Sequence, residues 1–379
     1  MPPFQRPTLE LAEIVRRHGD RIDAELSGAQ RRILRAISSC RTAALGGHIE
    51  SCDHCHHQRI AYNSCRNRHC PKCQACACAR WMDARASELL PVEYFHVVFT
   101  LPETFNALAL SNKRVVYGVL FDAVSHTLLE VAGNPKRLGA RIGFISILHT
   151  WGQNLCLHPH IHCVIPGGGL SPGGKWVACR KGFFLPVRVL SKVFRGKFID
   201  GLKRARGRGR LIGAEDDRQF DQLLNASVKH DWVVYAKRPF GGPKQVLKYL
   251  ARYTHRIAIS NSRLVAVDDH TVTFRWKDYA HHNRPRTMKL DGAEFLRRFL
   301  MHAVPRGFMR IRHFGLLANR VRAKNLDICR ALLSASPPAD CPIIDDTRTC
   351  PSCRHGRMVS GAKLDPMQLR RLLIRSDSS

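Results

Sequence analysis

The cysteines set the tightest limit on how this chain can fold. Of its 15 cysteines, eight crowd between Cys40 and Cys78, in a segment rich in polar and cationic side chains. Such a stretch has too few apolar side chains to fold on a core of its own and needs a staple. The chain opens on Met1-Pro-Pro-Phe-Gln-Arg, without an apolar leader, so a reducing, cytoplasmic setting is expected, and metal rather than disulfides. The pairs Cys52-x2-Cys55 and Cys70-x2-Cys73 stand fourteen residues apart. This spacing predicts a zinc ribbon over about 46–80, with Cys52, Cys55, Cys70 and Cys73 as tetrahedral ligands of one structural Zn²⁺. Other donor sets are available. Cys65 and His69 lie inside the spacer, His48, Cys76 and Cys78 flank it, and Cys65 with His69, Cys70 and Cys73 supports a second arrangement. Arg59, Arg66, Arg68 and Lys72 decorate the segment and suit contact with phosphates; the competing reading is a ribbon that only braces its neighbours. A further pair, Cys350 and Cys353, is half a site, with Cys329, Cys341 and His355 as available partners. No βαβ pattern surrounds it to suggest a redox motif.

Charge narrows the class of partner. Lys and Arg number 61 against 30 Asp and Glu, a net charge of +31. So large an excess repels itself unless a polyanion is the partner. No run of eighteen apolar residues is present to make a membrane the expected partner. DNA is the better expectation. Gly169-Leu-Ser-Pro-Gly-Gly174-Lys175 matches a phosphate-binding loop in spacing, but Trp176 stands where such a loop carries Ser or Thr, and the residues after it look extended rather than helical. The segment reads as a hairpin loop, and no NTP use is expected.

The chemistry centres on His158-Pro159-His160-Ile161-His162. Apolar Ile161, Val164 and Ile165 mark a strand, and residues i and i+2 of a strand share a face. His160 and His162 can therefore grip one metal ion from one side. About ninety residues later, Tyr249 and Tyr253 lie in a stretch that reads as a helix. An i, i+4 pair shares one helical face. Lys248, Arg252 and Arg256 form a parallel cationic stripe about 100° round that helix. A phenol is a weak nucleophile at neutral pH, so it needs a polarised phosphate in line with it. A metal strand facing two phenols is suited to attack on a phosphodiester, with the second tyrosine able to run a second transfer.

Helices are expected over 8–45, Trp81–Leu90, Asn112–Ala132 and Leu185–Arg204, followed by a flexible cationic loop over Arg204–Arg210. Strands are expected at Tyr94–Leu101, 141–152, 160–166, Asp231–Lys237, 263–267 and 271–276. The order suits an α+β fold, an antiparallel sheet with helices on one side. The division expected is an N-terminal helical and zinc-binding, DNA-binding domain (1–90), a catalytic domain (91–320) and a basic C-terminal tail with CxxC (321–379).

His158-Pro-His-Ile-His-Cys-Val-Ile-Pro-Gly-Gly-Gly169 followed by Tyr-x3-Tyr resembles the HUH-type rolling-circle transposases with two catalytic tyrosines, found in bacterial insertion sequences. His149-Thr-Trp-Gly-Gln153 and Arg310-Ile-Arg-His-Phe-Gly-Leu-Leu-Ala-Asn319 carry the likeness further, so that it runs from about residue 30 to 355. The resemblance implies the HUH endonuclease fold, a ferredoxin-like relative, and single-strand nicking and transfer through 5′-phosphotyrosine at Tyr249 and Tyr253. It also implies a third metal ligand, for which His149 is the first candidate and Gln153 the second; His158 is a candidate donor to the substrate. The implied ion is Mg²⁺ or Mn²⁺, whereas imidazoles alone favour Mn²⁺ of the two. The implied partners are single-stranded DNA and the transposon ends, with a host helicase and replication proteins, in a nucleoid-associated setting. A plasmid replication initiator or relaxase shares this chemistry. A zinc-dependent DNA-binding regulator is the alternative from another class.

Overall fold

The computed structural model describes residues 9–237, 245, 258–278, 281, 284–334 and 349–376. Lys248, Tyr249, Arg252, Tyr253, Arg256 and Cys341 lie outside the described residues. The chain divides into two compact units, one of residues 1–79, 259–300 and 340–379, the other of 80–258 and 301–339. Unit 1 thus gathers segments that are far apart in the sequence, because its strand partners and its cysteines are.

In unit 1, helices Leu11–His18 and Gly28–Ser38 bury Leu11, Ile14 and Val15, and Ile33, Leu34 and Ile37. These are the i, i+3, i+4 stripes of two amphipathic helices. Ser27 and Gln30 close a capping box on the second. Its end at Ser38 falls short of the expected Ala44; a short 3₁₀ turn over Ala43–Leu45 leads instead into β1 (Gly47–Cys52) and β2 (Gln58–Tyr62). The other edge of β1 is paired antiparallel by β13 (Met358–Leu364), from the far end of the chain. A second antiparallel sheet contains β9 (Leu264–Val267), β10 (Thr271–Asp278) and β11 (Arg284–Asp291).

Unit 2 is built on an antiparallel sheet in the order β12-β4-β5-β3-β8 (Ile311–Gly315, Gly143–Trp151, Leu157–Pro166, Tyr94–Thr100 and Val234–Lys237). One face is apolar. Phe95, Val97 and Phe99 of β3, Phe144 and Leu148 of β4, and Ile161, Cys163 and Ile165 of β5 enter a buried core with helices Lys113–Gly133 and Val187–Gly207. Lys113–Gly133 is apolar and long enough to cross a membrane, yet Tyr117, Leu120, Phe121, Val124 and Leu128 are all fully buried in this core. Phe105, Phe194, Phe198 and Trp232 fill its end edge-to-face, with ring centroids 5.2–5.7 Å apart in the T-shaped pairs. Alternation then sends the even-numbered residues of β3 and β5, and the odd-numbered residues of β4, to the opposite face.

The α+β expectation, an antiparallel sheet with helices behind it, N-terminal helices and cysteine clusters, is what the chain forms. Two local readings need correction. The segment read as a cationic loop is helical as far as Gly207, and Arg206 is engaged there, stacked 4.9 Å over the Phe220 ring and paired with Asp217. The bridging helix begins at Pro71 rather than Trp81, since Pro71 is suited to a first helical turn. The loop after Gly169 joins a two-stranded hairpin, β6 (Gly168–Leu170) and β7 (Trp176–Ala178), with Gly174 at φ 74°.

Candidate active site and metal centres

Strands β4 and β5 are cross-strand partners with His149 opposite His160 and Ile147 opposite His162. A single register therefore puts His149, His160 and His162 on the face away from the helices. Their ligand nitrogens all lie within 4.8 Å of one another. His149 and His162 are buried, and His160 is half-buried. Ring centroids stand 4.4 Å apart for His149–His162, 4.8 Å for His160–His162 and 5.4 Å for His149–His160. Trp151 stacks on His149 at 4.4 Å.

Hydrogen bonds set which nitrogens face inward. His160 donates from Nδ1 to the His158 carbonyl at 2.6 Å, leaving Nε2 as the lone-pair nitrogen. His162 Nδ1 shares a 2.8 Å hydrogen bond with His96 Nε2 on β3, the two rings stacked with centroids 5.0 Å apart. Burial lowers His160 to about 4, helped by the nearby His158. Burial also takes His162 well below its ordinary value, with His149 and His160 adding to the effect. His160 and His162 are thus held as neutral bases at neutral pH, the form that binds a metal. The donor set fits a divalent cation with a preference for Mn²⁺ over Mg²⁺.

The cysteines do not form the single ribbon expected from spacing. Cys70 and Cys73 meet Cys40 and Cys65, while Cys52 and Cys55 meet Cys350 and Cys353. The four thiols grouped by sequence are therefore split between two clusters. The physical reason lies in β1–β2, which carries Cys52 and Cys55 away, and in helix Pro71–Ala86, whose start turns Cys70 and Cys73 toward Cys40 and Cys65. In the first cluster the Cys73 sulfur stands 3.6 Å from those of Cys40 and Cys65. Hydrogen bonds from Cys65 and Cys70 draw Cys40 far down, and the bond with Cys40 pushes Cys65 up to about 12. Four sulfurs this close ionise together only around a cation, which fits Zn²⁺.

Comparison with known proteins places these features. Residues 143–325 match the family model Y2_Tnp, "Putative transposase", and residues 14–101 match the transposase zinc-binding domain Zn_Tnp_IS91. The chain is 52% identical over 375 residues to "Putative transposase y4qJ" of Sinorhizobium fredii, covering 93% of this chain and 94% of that protein. It is 30% identical over 310 residues to the transposase for insertion sequence element IS801 of Pseudomonas savastanoi pv. phaseolicola, covering 79% and 73%. The chain belongs to this transposase family. Among solved structures, conjugative relaxase TrwC in a metal-bound complex with oriT DNA aligns with 62% of the transposase and 71% of its own chain, at 13% identity and a TM-score of 0.25.

Other residues singled out by sequence are dispersed. Gln153 sits in the turn joining β4 to β5, and His158 precedes His160 with ring centroids 5.1 Å apart. Arg66 is exposed at φ 50°; Arg68 is half-buried, and burial lowers its affinity for a proton. Arg59 and Lys72 are taken by carboxylates of the transposase itself, Glu50 and Glu10. Sequence reasoning missed His96 and His302. In Tyr94-Phe-His-Val-Val-Phe-Thr the signal for His96 was a lone polar residue in an apolar strand. His302 donates from Nε2 to the Leu155 carbonyl at 3.1 Å and accepts at Nδ1 from the Thr150 hydroxyl at 3.2 Å, bolting the turn between the two histidine strands.

Proposed function

We propose that this transposase is a metal-dependent single-strand DNA nickase and strand transferase, acting through 5′-phosphotyrosine in a rolling-circle mode. The observation that carries the reading is the convergence of His149, His160 and His162 within 4.8 Å on adjacent strands, in a chain of a transposase family. His149, His160 and His162 would hold the catalytic ion, with His160 offering Nε2 because its Nδ1 donates to the His158 carbonyl. The chemistry that Mn²⁺ or Mg²⁺ would supply there is polarisation of the scissile phosphate. Tyr249 or Tyr253 supplies the attacking oxygen: its proton is lost to solvent, a P–O bond forms to the phenolic oxygen, the bond to the 3′ oxygen breaks, and that oxygen takes up a proton from solvent. The strand end is then held as 5′-phosphotyrosine with a free 3′ hydroxyl. The other tyrosine takes the second transfer while the first still holds its strand. Lys248, Arg252 and Arg256 hold the backbone at the tyrosines, and Arg66 and Arg68 contact phosphates from the N-terminal module, where zinc holds Cys40, Cys65, Cys70 and Cys73 together.

The direct test is to incubate the protein and Mn²⁺ with single-stranded DNA from the flanks of its own gene and to map the covalent adduct. DNA is expected on a peptide containing Tyr249 or Tyr253. The Tyr249→Phe/Tyr253→Phe variant keeps both rings and is expected to form no adduct. Attachment at any other residue, or cleavage without an adduct, overturns the mechanism.

A further inference from the structure

We infer that Cys52, Cys55, Cys350 and Cys353 form a second structural zinc site, which fastens the C-terminal segment to the N-terminal module. The matched zinc-binding domain ends at residue 101. It contains the whole of the Cys40, Cys65, Cys70 and Cys73 cluster but only half of this one.

The sulfur spacing separates metal ligation from the alternatives. Cys52 and Cys353 sulfurs stand 3.7 Å apart, and those of Cys55 and Cys350 3.6 Å. A disulfide requires about 2.05 Å. Four sulfurs at about 2.3 Å from a tetrahedral Zn²⁺ have edges of about 3.8 Å. Those two separations match edges of that tetrahedron, and all four sulfurs lie within 4.8 Å of one another.

The backbone repeats itself on the two sides. In one arm Cys52 N–H donates to the His57 carbonyl at 2.9 Å, and His56 N–H donates back to the Cys52 carbonyl at 3.2 Å. In the other, Cys350 N–H donates to the Gly356 carbonyl at 2.8 Å, and Arg354 N–H to the Cys350 carbonyl at 3.0 Å. The residue after the second cysteine of each pair turns left-handed, His56 at φ 58° and Arg354 at φ 59°. Positive φ is uncommon outside glycine, more so for arginine than for histidine. Backbone amides in both arms also reach sulfur. His54 and Cys55 N–H donate to Cys52 Sγ at 3.4 Å, and Gly356 N–H donates to Cys353 Sγ at 3.3 Å. Amides aimed at sulfur stabilise thiolates, the form that binds zinc. A Cβ at Gly356 would stand 2.4 Å from Cys52 Sγ and 2.6 Å from the His54 side chain, so the two arms interlock to the limit of backbone approach. Two knuckles from opposite ends of the chain thus present four donors to one point. Among the described residues, Met358 is the one apolar side chain that joins the cysteines in their cluster; the β1–β13 ladder and the Asp53–Arg357 hydrogen bonds bring the arms together, and the ion would bind the four donors into one site.

The test counts thiolate-bound zinc in the full-length protein. Titration with an organomercurial, following zinc with a chelating dye, reads only metal held by sulfur and leaves the histidine site out of the count. The wild type should release two equivalents. Cys350→Ser/Cys353→Ser should release one, and so should Cys65→Ser/Cys73→Ser. In the first variant, amide exchange should rise in 47–52 and 358–364, while 143–166 stays protected. One equivalent from the wild type, or two from Cys350→Ser/Cys353→Ser, overturns the site. Should either variant fail to fold, zinc X-ray absorption of the wild type decides: two ions per chain in an all-sulfur shell support the site, and any smaller number refutes it. Loss of the second zinc with adduct formation intact would leave the proposed chemistry standing, so the two proposals fail separately.

Discussion

Replacing His302 by Gln should convert an acid-sensitive bolt into an acid-indifferent one. His302 is 2% exposed and satisfied as a neutral ring by Leu155 and Thr150. Burial lowers it from the ordinary 6.5 to about 4. The folded state therefore resists a proton that the unfolded chain accepts at pH 6.5. Stability from this group is fully present above pH 6.5, falls as pH drops, and is exhausted below about 4. At about 1.4 kcal/mol per pH unit, the loss by pH 4 is about 3 kcal/mol. A glutamine side chain in its place donates to the Leu155 carbonyl but takes no proton. Losing the fit to Thr150 should cost about 1 kcal/mol at pH 7. The variant should thus be about 1 kcal/mol less stable than wild type at pH 7 and about 2 kcal/mol more stable at pH 4. Amide exchange of peptides from β4 and β5, corrected for the intrinsic pH dependence of exchange and run with a chelator, reads this local opening. His149, His160 and His162 are common to both proteins and cancel in the difference. Parallel curves for the two proteins from pH 7 to 4, or a difference that develops only above pH 7, would refute the reasoning.

Further expectations concern the metal centres. His160→Ala or His162→Ala should abolish Mn²⁺-dependent nicking while leaving single-stranded DNA affinity within about threefold, because phosphate contacts dominate binding; nicking at the wild-type rate by either variant removes the histidines from the mechanism. His96→Leu should weaken Mn²⁺ binding by roughly 10–100-fold, and His96→Gln, which can still accept from His162 Nδ1, should recover part of it in an electron paramagnetic resonance titration; equal affinity in both variants denies His96 a positioning role. Cys73→Ser should lose one zinc and the protection of helix Pro71–Ala86 in amide exchange, whereas retention of full zinc by elemental analysis would exclude Cys73 as a ligand.

The histidine centre was legible because strand geometry is local. An HxH on a strand fixes one face, and the short connection from Trp151 to Leu157 leaves an antiparallel neighbour that brings in His149. The helix Gly28–Ser38 showed itself through the helical spacing of Ile33, Leu34 and Ile37. The cysteine pairing did not, because a CxxC fixes only its own two donors. The partners of Cys52 and Cys55 are chosen by β1–β13, a pairing between chain ends to which sequence spacing carries no clue. His96 escaped for a related reason: its meaning comes from a cross-strand neighbour 66 residues away, and in isolation it reads as one polar residue in a core strand. The strands β11 to β13 are short or polar, and lack the apolar run that betrays a strand such as β3.

The joining of β1 to β13 also sets a timetable for biosynthesis. Cys55 leaves the ribosome 295 residues before Cys350. At roughly 5–20 residues per second that interval is on the order of 15–60 s. Throughout it, one edge of β1 stands unpaired while the whole of the large sheet of unit 2 is made. The module that begins the chain is therefore among the last parts to be finished. A message or an element broken before codon 350 yields a protein whose first domain is incomplete, even though every residue of its own N-terminal stretch has been translated.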